Sequence, residues 1–158
     1  RDHPDAILRL VGDGPMEAEV RIRVEHSPAR EGIEMFPGTT DVRGHFSATR
    51  VFALSSIREG QPNVLIEAMA CGLPVCATNG GGIPRLVNDG GNGDLCNPRD
   101  PAAMAGILAR FLDEPETADA MGAVNRERAV ERYSFGPMVR SHEGIFEQLA
   151  EERRSASS

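Results

Sequence analysis

Short apolar runs alternate along this chain with stretches whose apolar residues recur at helical spacing. The first run, Ile7-Leu8-Arg9-Leu10-Val11, stops at Gly12-Asp13-Gly14-Pro15, the pattern of a buried strand closed by a tight turn. Residues 16–26 are polar with weak helical periodicity and predict a helix. Residues 33–36 predict a second strand, closed by Pro37-Gly38. A short helical stretch over 41–49 precedes the apolar run 51–54, a further strand. Leu65, Ala68 and Met69 then fall at i, i+3 and i+4, one apolar stripe of a helix over 63–71. Gly72 offers a left-handed stop to this helix, and Pro74 forbids its continuation.

Residues 74–78 predict the next strand, ending in Gly80-Gly81-Gly82. A one-turn helix over 84–87 leads to a turn at Asn88-Asp89-Gly90-Gly91 and the short segment Asp94-Leu95-Cys96. Asp100-Pro101 is a strong helix start, an N-cap acceptor followed by proline at the first helical position. Met104, Ile107, Leu108, Phe111 and Leu112 form the buried face of that helix. A charged helix follows over 116–132. Ser134 is placed to cap a last helix, whose apolar stripe is Met138, Val139, His142, Ile145, Phe146 and Leu149. Residues 153–158 are expected to be a disordered tail. About four strands alternating with helices and Gly-rich turns imply an α/β domain over 1–152, a Rossmann-like parallel sheet with flanking helices.

Composition narrows the function. With 158 residues and 40% hydrophobic content, the chain has enough apolar material for one core. The net charge of −7 and the lack of a basic stripe argue against nucleic acid, which needs clustered Lys and Arg. No apolar run approaches the ~20 residues that span a bilayer, so membrane contact is not indicated in this segment. The chain opens on Arg1 rather than Met, and a piece of a longer protein is the expectation. Cys71, Cys76 and Cys96 cannot all pair, and buried free thiols in a reducing, cytoplasmic setting are the simplest reading. His3, His26, His45 and His142 are scattered, so no metal is expected.

The candidate chemistry lies between 55 and 75. A strand ending near Leu54, a loop holding Glu59-Gly60, and a helix starting near Asn63 put a loop and a helix start where parallel sheets bind ligands. Free N–H groups at Asn63, Val64 and Leu65, with the helix dipole behind them, make a phosphate cradle. Gly60 allows close approach of the backbone to a ligand. Glu67, about one turn into the helix, is placed to accept from a vicinal diol such as a ribose, and Glu59 to reach hydroxyls beyond the phosphates. Spacing alone leaves the plain alternative open: a Glu favoured by the dipole and a solvated loop Glu.

The run Glu59-Gly60-Gln61-Pro62-Asn63-Val64-Leu65-Ile66-Glu67-Ala68-Met69-Ala70-Cys71-Gly72-Leu73-Pro74-Val75 closely resembles the Glu-x7-Glu signature of group 1 (GT4-type) retaining glycosyltransferases of the GT-B fold. Leu10 to Pro15, Phe36-Pro37-Gly38 with Asp41-Val42, Ala77 to Pro84, Asp89 to Gly93 and Asp100-Pro101 resemble that family's other landmarks, in family order. The resemblance implies the donor-binding, C-terminal half of a GT-B enzyme. It would move a sugar from a UDP- or GDP-linked donor to an acceptor with retention, and no cofactor is implied. Glu59 would be the catalytic carboxylate and hold the donor sugar. Gly60, Gln61, Pro62, Asn63 and Val64 would belong to the donor-binding site, with Asn63 and Val64 giving backbone N–H groups to the diphosphate. Glu67 would bind the ribose. Gly38, Thr39 and Asp41 would form a loop beside the base.

The departures are specific. Arg85 stands where the family usually has Glu, Asp94 occupies a strand position usually apolar, and Thr49-Arg50 replaces Ala-Asp. An unpaired buried carboxylate at 94 would be costly. The resemblance further implies an Arg and a Lys on the diphosphate and an N-terminal acceptor domain, neither found in this stretch. The expectation is therefore a half-cleft, inactive alone and open to self-association. Two other readings differ in class: a dinucleotide-binding module resting on Gly12-x-Gly14, and a degenerate domain that only binds or interacts.

Overall fold

In a computed structural model, residues 3–87 and 91–156 are described, so the expected turn at Asn88-Asp89-Gly90 lies outside the described residues. The chain divides into two compact units, Arg1–Ala48 and Thr49–Ser158. In the first, strand β1 (Leu8–Val11) is followed by helix α1 (Glu17–Glu25), strand β2 (Ile33–Phe36) and helix α2 (Arg43–Ser47). The strands pair in parallel, Leu8 opposite Ile33 through Val11 opposite Phe36. Arg9 on β1 bonds Glu34 on β2 at 2.9 Å, and α1 is laced by Glu17–Arg21 and Glu19–Arg23 pairs one turn apart.

The second unit holds strands β3 (Phe52–Leu54), β4 (Val75–Thr78) and β5 (Gly93–Cys96), with helices α3 (Asn63–Ala70), α4 (Ile83–Leu86), α5 (Pro101–Asp113), α6 (Pro115–Tyr133) and α7 (Phe135–Ala156). Its sheet runs β3-β4-β5, all parallel. The described residues thus carry five strands in two sheets, one more than the apolar runs predict. The additional strand is β5, whose Gly and Asp mask its character.

Strand β4 is buried on both sides, and the alternation of its side chains builds two cores. Val75 and Ala77 pack with Leu65, Met69, Ile83, Leu86, Val87 and Ala129. Cys76 faces the other way, with Phe111, Ala118 and Met121. Leu65, Ala68 and Met69 are fully buried, as their spacing predicts. Gly72, at φ +76°, ends α3: Gly72 N–H donates to Met69 and Leu73 N–H to Ala68. A Cβ on Gly122 would strike the Gly72 carbonyl, so the glycine lets α6 press directly against the end of α3.

Two fully buried amides of this unit, Asn92 and Asn125, pair with each other and with main chain. Asn92 Nδ2 donates to Leu86 O (3.1 Å) and Asn125 Oδ1 (2.7 Å). Asn125 Nδ2 donates to Leu73 O (2.8 Å) and Asn92 O (2.6 Å). Two amides therefore tie α6 to the α3–β4 turn, the end of α4 and the entrance of β5. Asp94, the unusual residue in β5, forms an ion pair with Arg110 of α5, whose guanidinium also lies over the Phe111 ring at 5.1 Å. The departure at 94 is thus compensated by a cation one helix away.

Two expectations change. Asp100 does cap α5, accepting from Ala103 N–H at 2.9 Å, but Ser134 does not use its side chain as a cap: its hydroxyl donates back to Val130 O at 2.7 Å. The last helix continues through Ala156, with Ser155 Oγ donating to Glu151 O, where a disordered tail is expected from 153. Glu151, Glu152, Arg153 and Arg154 are all good helix formers and sustain the helix by propensity. The stripe Met138, Val139, Ile145, Phe146 and Leu149 is exposed, Phe146 at 67%. Among the described residues, no helix is long and apolar enough to cross a membrane.

Replacing Arg110 by Met should destabilise the chain by about 2 kcal/mol, below the full value for a buried pair because Arg110 is partly exposed. The double change Asp94→Leu with Arg110→Met should recover most of that loss in a denaturant titration. Thiol chemistry gives a second check. Burial, reinforced by Cys96, pushes the Cys76 thiol up to about 12, and burial also raises Cys96, while Cys71 is exposed. A thiol reagent at pH 8 should label one cysteine in the native chain and three in denaturant. Because the unfolded Cys76 ionises near its ordinary 9, its contribution to stability should fade as pH rises from about 9 towards 12.

Candidate functional site

The loops that leave the carboxyl ends of β3 and β4 meet at the same edge of the sheet, because the strands are adjacent and parallel, Phe52 opposite Val75 through Leu54 opposite Ala77. Their meeting is main chain against main chain. A Cβ at Gly80 would strike the Ile57 carbonyl, one at Gly81 the Glu59 carbonyl, and one at Gly82 the Gly60 carbonyl. Gly81 also sits at φ +60°, where only glycine is unstrained. Gly82 N–H donates to Glu59 O at 2.7 Å, and the Thr78 hydroxyl donates to the Ser56 carbonyl. The triple glycine is therefore what lets the Glu59 loop lie flat on the β4 loop.

Glu59 is half-buried, and its Oε1 accepts from Ser56 Oγ at 2.8 Å. Gly60 is exposed, and the space a Cβ would take there is empty. Gln61 is exposed, and Pro62 is buried and supplies the N-cap position of α3 without a side-chain cap. The cradle at the start of α3 is smaller than the sequence suggests. Leu65 N–H already donates to Pro62 O at 3.1 Å, leaving the N–H groups of Asn63 and Val64. Glu67 lies one turn further on, its side chain exposed. Glu59, Asn63, Val64 and Glu67 are thus carried by one loop–helix segment, as their spacing predicts.

Gly38, Thr39 and Asp41 belong to the first unit, in the loop after β2. Thr39 Oγ1 accepts from Asp41 N–H at 3.1 Å, and Asp41 is gripped by Arg43 at 2.9 Å through Oδ1 and 3.2 Å through Oδ2. These bonds hold the Asp41 carboxyl below its ordinary range. A Cβ on Gly38 would lie 2.5 Å from Asp13 Oδ2, so this glycine makes room for the turn after β1.

Ser56 and Thr78 carry no role in the sequence reading. A hydroxyl three residues before a loop carboxylate is the signal that points to Ser56. Nothing local points to Thr78, which meets Ser56 only through strand pairing. A methyl at position 82 tests the contact between the loops. Gly82→Ala should lower stability by about 1–3 kcal/mol, because the Gly60 carbonyl is backbone and gives way poorly. Gly106→Ala on α5, where a Cβ meets nothing, is the control and should be neutral or mildly stabilising in the same thermal melt.

The family described as glycosyl transferases group 1 matches residues 1–128. N-acetyl-alpha-D-glucosaminyl L-malate synthase of Bacillus anthracis is 31% identical over 142 residues, covering 90% of this chain and 37% of that protein. The structure of sucrose-phosphate synthase from Thermosynechococcus elongatus aligns with a TM-score of 0.82 at 30% identity, over 92% of this chain and 39% of that one. HepE of Anabaena in complex with UDP aligns with a TM-score of 0.83 at 24% identity, over 94% and 42%. The chain spans less than half the length of each of these proteins. With a family match over most of its residues and its Glu59-to-Glu67 segment on one loop and helix, the chain belongs to the group 1 glycosyl transferases.

Proposed function

We propose that the chain is the donor-binding half of a glycosyltransferase that moves a sugar, with retention, from a nucleoside-diphosphate sugar to an acceptor. The observation that carries this reading is the segment from Glu59 to Glu67. It offers a carboxylate locked in a loop, then two N–H groups with no partner among the described residues at a helix start, then an exposed carboxylate one turn on. The order matches the order of chemical groups in the donor: sugar hydroxyls, diphosphate, ribose diol. The helix dipole adds partial positive charge where the phosphates would lie. Empty space at Gly60 supports close approach of a ligand, since no described residue fills it.

In this reading Glu67 accepts hydrogen bonds from the ribose, Asn63 and Val64 donate to the diphosphate, and Glu59 holds and orients the donor sugar. Gly38, Thr39 and Asp41 serve the base side. Retention, a cytoplasmic setting, an acceptor domain supplied by further chain and a tendency of the isolated piece to self-associate through its exposed α7 stripe belong to the same proposal. Sugar transfer needs both substrates oriented in one closed cleft with the leaving charge neutralised, and the donor half alone supplies only part of that. The ion pair between Asp94 and Arg110 favours a working fold over a degenerate one, because it repairs the departure in β5.

UDP and UDP-glucose are the probes, since HepE, of the same fold, has been solved with each. Glu67→Gln should weaken both by roughly 1.5–3 kcal/mol, the worth of a hydrogen bond to a charged acceptor. Glu59→Gln should leave UDP nearly unchanged and weaken UDP-glucose. Calorimetry with both ligands decides it, and equal losses in the two mutants would refute this division of labour.

A further inference from the structure

Glu59 is held at two points, and neither belongs to the segment that carries it towards α3. Its main-chain carbonyl accepts from Gly82 N–H at 2.7 Å, and its Oε1 accepts from Ser56 Oγ at 2.8 Å. Ser56 is half-buried, and its own carbonyl is taken by the hydroxyl of Thr78, which is 3% exposed at the end of β4. Gly80 and Gly81 press on the carbonyls of Ile57 and Glu59 in the same place. A path of hydrogen bonds thus runs from the buried central strand, through Thr78 and Ser56, to one oxygen of Glu59. The other oxygen accepts nothing from the described residues.

We propose that Ser56 is a positioning residue for Glu59, with Thr78 fixing Ser56 in turn, so that the carboxylate presents Oε2 to the hydroxyls of the donor sugar. This rests on the reading that Glu59 meets that sugar. The physical reason is rotameric. A glutamate on a loop divides its time among several side-chain conformations, and selecting one before the ligand arrives removes that ordering from the binding step. A hydroxyl is suited to this, because it donates to one oxygen and leaves the other with its full accepting capacity. An alanine at 56 would keep the loop, with its glycine contacts and its Gly82 bond, while releasing the carboxylate.

The test is a binding cycle on the whole chain with UDP-glucose and UDP as ligands. Ser56→Ala should weaken UDP-glucose roughly tenfold and leave UDP within about twofold, a split that general loosening would not give. Ser56→Thr, which keeps the hydroxyl, should restore most of the loss. In a Glu59→Gln background Ser56→Ala should cost nothing further, because the two residues act as one unit. Thr78→Val is a second arm that leaves Ser56 in place, and it should weaken UDP-glucose more than UDP. Equal losses for the two ligands, an undiminished effect of Ser56→Ala in the Glu59→Gln background, or wild-type affinity in Ser56→Ala would each overturn the proposal. A wild-type chain that binds neither ligand would instead remove the donor-binding reading on which it stands, and the proposal with it.

Discussion

Two stretches of main chain, 57–60 and 80–82, lie against each other with no side chain between them, and the site depends on that contact. Carbonyl oxygens of Ile57, Glu59 and Gly60 occupy the places where three Cβ atoms would stand on Gly80, Gly81 and Gly82. Close-packed interiors tolerate no such overlap, so three consecutive residues must be glycine for the loop after β3 to rest on the loop after β4. The contact then supplies what a solvated loop lacks: an amide for the Glu59 carbonyl and a hydroxyl for the Ser56 carbonyl.

That contact needs a firm base, and β4 provides it. All four of its residues are buried, with Val75 and Ala77 in one core and Cys76 in the other. Helix α6 contributes to both cores, Ala129 to one and Ala118 and Met121 to the other. The Asn92–Asn125 pair joins α6 to the ends of α3, α4 and β5 by four hydrogen bonds. Buried amides are costly unless satisfied, and these satisfy each other and two backbone carbonyls besides. The same rule governs Asp94: a carboxylate in a strand is tolerable because α5 brings Arg110 to it.

Electrostatics divide the candidate site. At the start of α3 two N–H groups and the helix dipole favour negative charge, while the segment carries a carboxylate on either side, Glu59 and Glu67. This alternation suits a ligand that is anionic in its middle and rich in hydroxyls at both ends. In the first unit the Asp41 carboxylate is spent on Arg43 and its own turn, so that loop is ordered by local charge before any ligand is considered.

Much of this could be read from the sequence, wherever the determinant is local. Apolar spacing gave α3 and its buried face, Gly72 and Pro74 gave its end, Asp100-Pro101 gave the start of α5, and the apolar runs gave four of the five strands. The placement of Glu59, Asn63, Val64 and Glu67 on one loop and helix follows from numbering alone, since a helix advances a turn in about four residues. Strand β5 was obscured because its Gly and Asp look like a turn, and what makes it a strand is its pairing with β4. The Leu65 N–H is lost to the cradle because the first turn tightens on Pro62, which no propensity reveals. Arg110 beside Asp94, Thr78 beside Ser56 and Gly82 beside Gly60 are separated by 16 to 22 positions, and only the packing of parallel strands and their helices brings each pair together. Side-chain chemistry and local periodicity act over a few residues and are written in order along the chain. Contacts between distant residues form only where burial of the shared core makes closing the intervening loop favourable, and so they are decided by the tertiary structure.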